Sequence, residues 1–125
     1  MDDSVRRALG RGHLIDITTI GRRSGKPRRL EIGFHVIDGR IYISGMPVPG
    51  RTRGWIHNLT ANPRLTIHLK GAVVADVPAT ARIITDEAER RAIFEHIVRI
   101  WKRQDVETMT DHSPLIEVSV EDAAA

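Results

Sequence analysis

Five cations crowd into eight residues, Arg22, Arg23, Lys26, Arg28 and Arg29, and Gly21, Ser24, Gly25 and Pro27 stand among them. These residue types suit the capture of an oxyanion. The planar arginine fork matches phosphate or carboxylate in a bidentate way, and Lys26 adds a mobile point charge. Ser24 brings a hydroxyl donor. Gly21 and Gly25 permit positive φ and allow backbone N–H groups to come close to an anion. The competing reading of such a run is a solvated basic hairpin loop.

Other chemistries find little support. The chain has no cysteine, which excludes disulfides and thiolate metal sites. Its six histidines show no His-x-x-x-His helical spacing and no accompanying zincin glutamate, so no metal is expected, although His57 and His68 stand within reach of a cleft. There is no Gly-x-Ser-x-Gly elbow and no phosphate loop ending in Gly-Lys-Ser/Thr. A formal charge of +3 and a pI near 9.9 point to an anionic partner. Nucleic acid is disfavoured, because aromatic residues total 4% and no stacking platform or recognition helix is legible. No apolar run approaches the roughly 20 residues of a membrane span. With an acidic N-terminus and no leader pattern, a cytoplasmic protein is expected.

The basic segment needs a scaffold, and 125 residues suffice for one domain, 1–125, with a real core. Ser4–Leu9 reads as a short helical turn. A β-branched strand starts at His13 and runs through Thr19. Gly21–Pro27 is the loop that follows. Leu30, Ile32, Phe34 and Val36 alternate with Arg29, Glu31, Gly33 and His35, the period of a strand with one buried face. Asp38-Gly39 turns the chain into Arg40–Ser44. Gly45–Gly54 must be irregular, with three glycines and two prolines. Trp55–Ala61 is helical and stops at Asn62-Pro63. Arg64–Leu69 and Val73–Ile84 are strands around Gly71, with Pro78 marking an edge or a bulge. Thr85-Asp86-Glu87 opens a helix, whose apolar face is Ile93, Phe94, Ile97, Val98 and Trp101. Leu115–Val120 is the last strand, and Ala123–Ala125 a frayed tail. Six strands and two flanking helices without a βαβ repeat make an α+β barrel or sandwich.

Two of these stretches resemble a known family. Thr18-Thr19-Ile20-Gly21-Arg22-Arg23-Ser24-Gly25-Lys26-Pro27-Arg28 is similar to the coenzyme loop of the deazaflavin-dependent nitroreductase-like proteins. Trp55-Ile56-His57-Asn58-Leu59-Thr60-Ala61-Asn62-Pro63-Arg64 resembles their second signature. The resemblance spans about Leu14 to Ile84 and implies a split β-barrel (FMN-binding-like) and coenzyme F420, with FMN as the alternative. It implies an oxidoreductase that passes hydride to an electron-poor acceptor such as a quinone, an activated alkene or a nitro compound. A non-catalytic carrier of the same coenzyme is the second reading. F420 carries a phosphodiester and a polyglutamate tail, which suits Gly21, Arg22, Arg23, Ser24, Gly25, Lys26 and Arg28. By the same resemblance Ser44, Gly45 and Met46 lie against the ring, Arg51 and Arg53 reach phosphate or tail, and Trp55 and Asn58 either touch the coenzyme or hold the loop. No residue stands out as a general acid. Tyr42 is the only tyrosine, where family nitroreductases build their acceptor pocket from several aromatics. A homodimer through sheet faces is expected.

Overall fold

The computed structural model describes residues 2–12, 14–102 and 104–121. Six strands close into an antiparallel barrel. They are β1 (Leu14–Ile20), β2 (Pro27–Ile37), β3 (Arg40–Ser44), β4 (Arg64–Lys70), β5 (Val74–Ile83) and β6 (Leu115–Val120). Around the barrel they run β1-β2-β3-β6-β5-β4. Strand alternation fills the interior: Ile15, Ile17, Phe34, Ile43, Ile67, Leu69, Val77 and Ile116 are all buried. The α+β split-barrel reading therefore stands.

The helices are α1 (Asp3–Arg11), α2 (Gly54–Ala61), α3 (Glu87–Ile100) and α4 (Val106–His112). Four helices are thus present among the described residues, where two were expected. Leu9 of α1 and Trp55, Ile56 and Leu59 of α2 enter the barrel core. α2 sits over the end of β1 that leads into the basic loop, since Asn58 bonds to Thr19 there. Outside the wall, Tyr42 of β3 packs with Ile93, Phe94 and Ile97 of α3 and Met109 of α4 in a second apolar cluster. The lone tyrosine is therefore a packing residue.

Pro78 needs a correction, because a closed barrel has no edge strand. Pro78 stands opposite Thr66 of β4, just beyond the last β5–β6 pair, Ala79↔Val120. Its carbonyl accepts from Glu121 N–H, past the end of β6. In an antiparallel ladder a residue's N–H and C=O face the same neighbour, so the missing N–H falls where β6 has already ended. The expected strand start at His13 and the tail Ala123–Ala125 lie outside the described residues.

β2 matters most for the site. Its first half, Pro27–Gly33, pairs with β1, and its second half, Gly33–Ile37, with β3. β3 leaves the wall at Ser44, opposite Gly33. From Pro27 to Ile32 no β3 residue faces β2, and a notch opens in the barrel wall. Gly33 leaves room there for the Trp101 ring that packs over it, from which a Cβ would lie 3.1 Å.

Candidate coenzyme site

The basic loop is a tight, internally bonded turn. Gly21 N–H donates to the Lys26 carbonyl at 2.8 Å and Gly25 N–H to the Gly21 carbonyl at 2.9 Å. Lys26 N–H donates to Ser24 Oγ. Arg22 N–H donates to Asn58 Oδ1 at 3.0 Å, while Asn58 Nδ2 donates to Thr19 Oγ1 at 3.1 Å. Asn58 therefore spends both ends of its amide on tying the loop to α2. Of the two roles that the sequence left open for it, the structure supports loop holder.

The expectation that the glycines bring backbone amides to an anion is corrected in two respects. The N–H groups of Gly21, Arg22, Gly25 and Lys26 are all committed inside the loop or to Asn58. Gly21 is also absent from the positive-φ positions. It is small because a Cβ would sit 2.6 Å from Ser24 Oγ and 3.2 Å from the Lys26 carbonyl. Gly25 does have φ of 68°. That leaves the side chains, with the Arg23 and Ser24 amides, to meet an anion. Arg22, Arg23, Ser24, Lys26 and Arg28 are all exposed. Among the described residues none of the four cations has a carboxylate partner. Arg29 differs: its Nε pairs with Asp16 at 2.9 Å, in a cluster with Lys70 and Glu31. The Lys70 hydrogen bond, and next that of Arg29, holds the Asp16 carboxyl below its usual range. Strand alternation separates these roles. Arg29 and Glu31 lie on the outer face of β2, while Arg28 shares a side with Leu30 and Ile32.

That side leads into the notch. A cleft of about 290 Å³ is lined by Leu14 of β1, by Leu30, Ile32 and Gly33 of β2 with Glu31 at its margin, then by Ser44, Gly45 and Met46, with Arg53, Trp55 and Trp101 around it. Five of the expected residues thus meet at one opening, Ser44, Gly45, Met46, Arg53 and Trp55. Within this group the roles differ. Ser44 is fully buried and donates its Oγ proton to the Pro114 carbonyl at 2.6 Å. Gly45 is small because a Cβ would crowd Pro114 at 3.3 Å. Trp55 is 8% exposed and belongs to the barrel core, presenting only a margin to the cleft. Met46 is 43% exposed, and its carbonyl accepts from Arg53 Nη2 at 2.8 Å. Arg53 Nε is buried with no partner. Arg51 lies apart from this opening and lines a different cavity, beyond the loop.

Trp101 was read from sequence only as part of an apolar helix face. It closes one side of the cleft and packs edge-on against His35, with ring centroids 4.7 Å apart. Burial pushes the His35 imidazole pKa down, so it is held neutral. His68 lies on the outer wall between Thr18 and Asp76, away from the cleft-lining residues. Among the described residues no group of three metal-ligating side chains converges.

The geometry suits an anionic, partly planar coenzyme. The loop, whose four cations have no carboxylate partner among the described residues, runs through Arg28 into the half of β2 that lines a half-apolar notch, and an orphaned guanidinium N–H, costly to leave unmet, lies beside it. Gly25 gives a test of the loop. A Cβ there meets nothing within 4 Å, so the cost of substitution is conformational and not steric. Gly25→Val is expected to cost about 1–2 kcal/mol through the left-handed backbone and to weaken F420 binding about tenfold. Gly25→Asn, which tolerates that region, is expected to retain affinity. Thermal midpoint and coenzyme affinity measured on the same samples check this. A collapsed midpoint with normal binding by the folded fraction would assign Gly25 to the fold alone.

Comparison with known proteins agrees with the fold and the coenzyme. A family model described as F420H(2)-dependent quinone reductase matches residues 3–123. A solved structure described as an F420 reductase superposes with a TM-score of 0.71 at 14% identity, covering 98% of this chain and 97% of that one. Another, an F420-H2 dependent reductase, gives 0.60 at 24% identity over 85% and 93%. A third, described as a domain-swapped dimer, gives 0.63 at 22% identity over 94% and 95%.

Proposed function

The chain belongs to the F420H(2)-dependent quinone reductase family, and from that premise we propose that the Arg22–Arg28 loop grips the coenzyme's anionic tail, that the notch holds its ring, and that the acceptor is a quinone. It is an F420-dependent oxidoreductase, so the reading as a mere carrier falls away, and F420 stands in place of FMN as its coenzyme.

One observation carries the proposal: among the described residues four cations without carboxylate partners, Arg22, Arg23 and Lys26 in the loop and Arg28 on β2, lead into the half of β2 that β3 does not pair. When bound, the reduced coenzyme supplies a hydride equivalent to an electron-poor acceptor. The chain's own residues bind and orient. Arg22, Arg23, Lys26 and Arg28 hold phosphate and carboxylates. Leu30 and Ile32 offer an apolar floor and exclude water. Gly45 lets the backbone run close to a ring edge, and Arg53 braces this loop through its Nη2 bond to the Met46 carbonyl. Asn58, Ser44 and Trp55 position these groups through the fold.

A quinone is favoured over a nitroaromatic because the matching family is that of F420H(2)-dependent quinone reductases. The homodimer is part of the same proposal, supported by the similar structure described as a domain-swapped dimer. No helix among the described residues is long and apolar enough to cross a membrane.

The test is single-turnover oxidation of the reduced coenzyme on the enzyme, followed by absorbance. Rapid oxidation on adding menadione and slow oxidation with a nitroaromatic are expected. Equal or reversed rates would remove the quinone from the proposal.

A further inference from the structure

Among the described residues three buried side-chain polar atoms lack a partner, His35 Nε2, Arg53 Nε and Ser113 Oγ. Two of those residues, Arg53 and Ser113, line one cavity that the coenzyme reading does not use. It lies between the Gly45–Arg53 loop and the α4–β6 junction and encloses about 440 Å³, more than the coenzyme notch. Ser113 is only 4% exposed, so an unmet hydroxyl at that position is costly.

The charge around this cavity is unbalanced. Arg90 reaches it from α3 and donates to four carbonyls: Thr110 at 2.9 Å, Ile84 at 3.0 Å, Ser113 at 2.6 Å and Met109 at 3.4 Å. All four acceptors are neutral, and the one carboxylate acting on the guanidinium is Asp111. Arg51 and Arg53 add two more cations, against a single carboxylate, Asp111, and one histidine, His112. The walls are otherwise hydrocarbon, from Ile56, Ile84 and Leu115. Positive potential in a low-dielectric recess, with two unused donors and apolar walls, matches an anion with a hydrophobic body.

We propose that this cavity is a second ligand site, for a small organic acid whose acid group takes Ser113 Oγ and Arg53 Nε and whose hydrocarbon part lies on Ile56, Ile84 and Leu115. The site shares Arg53 with the coenzyme notch but stands on the other side of the loop. The proposal does not depend on which acceptor the enzyme reduces.

The probe is 4-fluorobenzoate, followed by fluorine NMR on the full chain without coenzyme. Saturable binding is expected, and the neutral isostere 4-fluorobenzyl alcohol is expected to bind at least about tenfold more weakly, since a hydrogen bond to a charged group is worth that much. Ser113→Ala removes the unmet hydroxyl. It is expected to weaken the probe about tenfold while leaving the thermal midpoint unchanged or higher. A saturating amount of F420 is expected to leave the probe bound. The proposal is overturned by absence of saturable binding, by equal binding of the alcohol, by an unchanged affinity in Ser113→Ala, or by displacement with F420, which would assign the cavity to the coenzyme. The alcohol comparison needs no variant, and the arms without F420 decide the matter even if the coenzyme reading fails.

Discussion

Replacing Arg22 and Arg28 together by alanine is expected to raise the F420 dissociation constant by one to a few orders of magnitude while the saturated rate of coenzyme oxidation stays within about twofold. Both side chains are exposed, and neither has a carboxylate partner among the described residues. Nothing in the fold needs their charge, so they are available to a ligand. Charge-assisted contacts to phosphate or carboxylate are worth roughly tenfold to a hundredfold each, and less where water still reaches them. The lower end is expected for Arg22, at the open tip of the loop, and the higher for Arg28, whose side of β2 continues into the cleft through Leu30. An interaction made equally before and during the chemical step changes binding and not the barrier. Single-turnover stopped flow separates the two. A large fall in the saturated rate with unchanged affinity would place these arginines at the reacting end and reverse the coenzyme in its site.

Arg90→Met is expected to destabilise the protein by about 3 kcal/mol and lower its thermal midpoint by about 10 °C. The guanidinium joins α3, the end of β5 and the α4–β6 junction through its four carbonyl acceptors. It also lies over the Phe94 ring at 5.4 Å. Losing four charge-assisted bonds would cost more than 3 kcal/mol if nothing offset it. Two terms oppose that loss. Burial penalises the charged form of Arg90 and pulls its pKa down, and methionine escapes that penalty. Water entering the adjoining cavity satisfies part of the freed carbonyls. Lysine, with three donors and no planar fork, is expected to recover only part of the loss. Denaturant melts of the three proteins check this. A change below about 1 kcal/mol for the methionine variant would mean that α3 is held by its apolar face alone.

The barrel was largely legible because its signals are local. The alternation from Leu30 to Val36, the Asp38-Gly39 turn and the β-branched run of β1 each state their element within a few residues. α4 was missed for the same reason. Val106–His112 buries only Met109 and Thr110, too few for an apolar period. Its one strong signal is the Asp105 cap, which accepts from Glu107 N–H and Thr108 N–H, and a lone aspartate in a polar stretch reads as loop. The basic loop could be seen as an anion receptor from composition. That four of its amides are spent within the loop or on Asn58 could not, because Gly21–Lys26 closure and the Asn58 tether are three-dimensional facts. Ser44 illustrates the limit. Its hydroxyl is committed to Pro114, distant in sequence and adjacent only because β3 and β6 pair. Arg90 likewise carries no local signal of its role, since its carbonyl acceptors lie on other segments of the chain.

The measurement that bears most directly on the account is a paired titration of the chain with F420 and FMN in one buffer, at several salt concentrations, read by quenching of Trp55 and Trp101. FMN brings one phosphate, whereas in the proposed site the F420 tail engages Arg22, Arg23, Lys26 and Arg28 together. The account predicts that F420 binds at least about tenfold tighter and loses affinity steeply with salt, since exposed charges are screened over about 8 Å at physiological ionic strength. FMN binding as tightly as F420, or F420 affinity indifferent to salt, would contradict it.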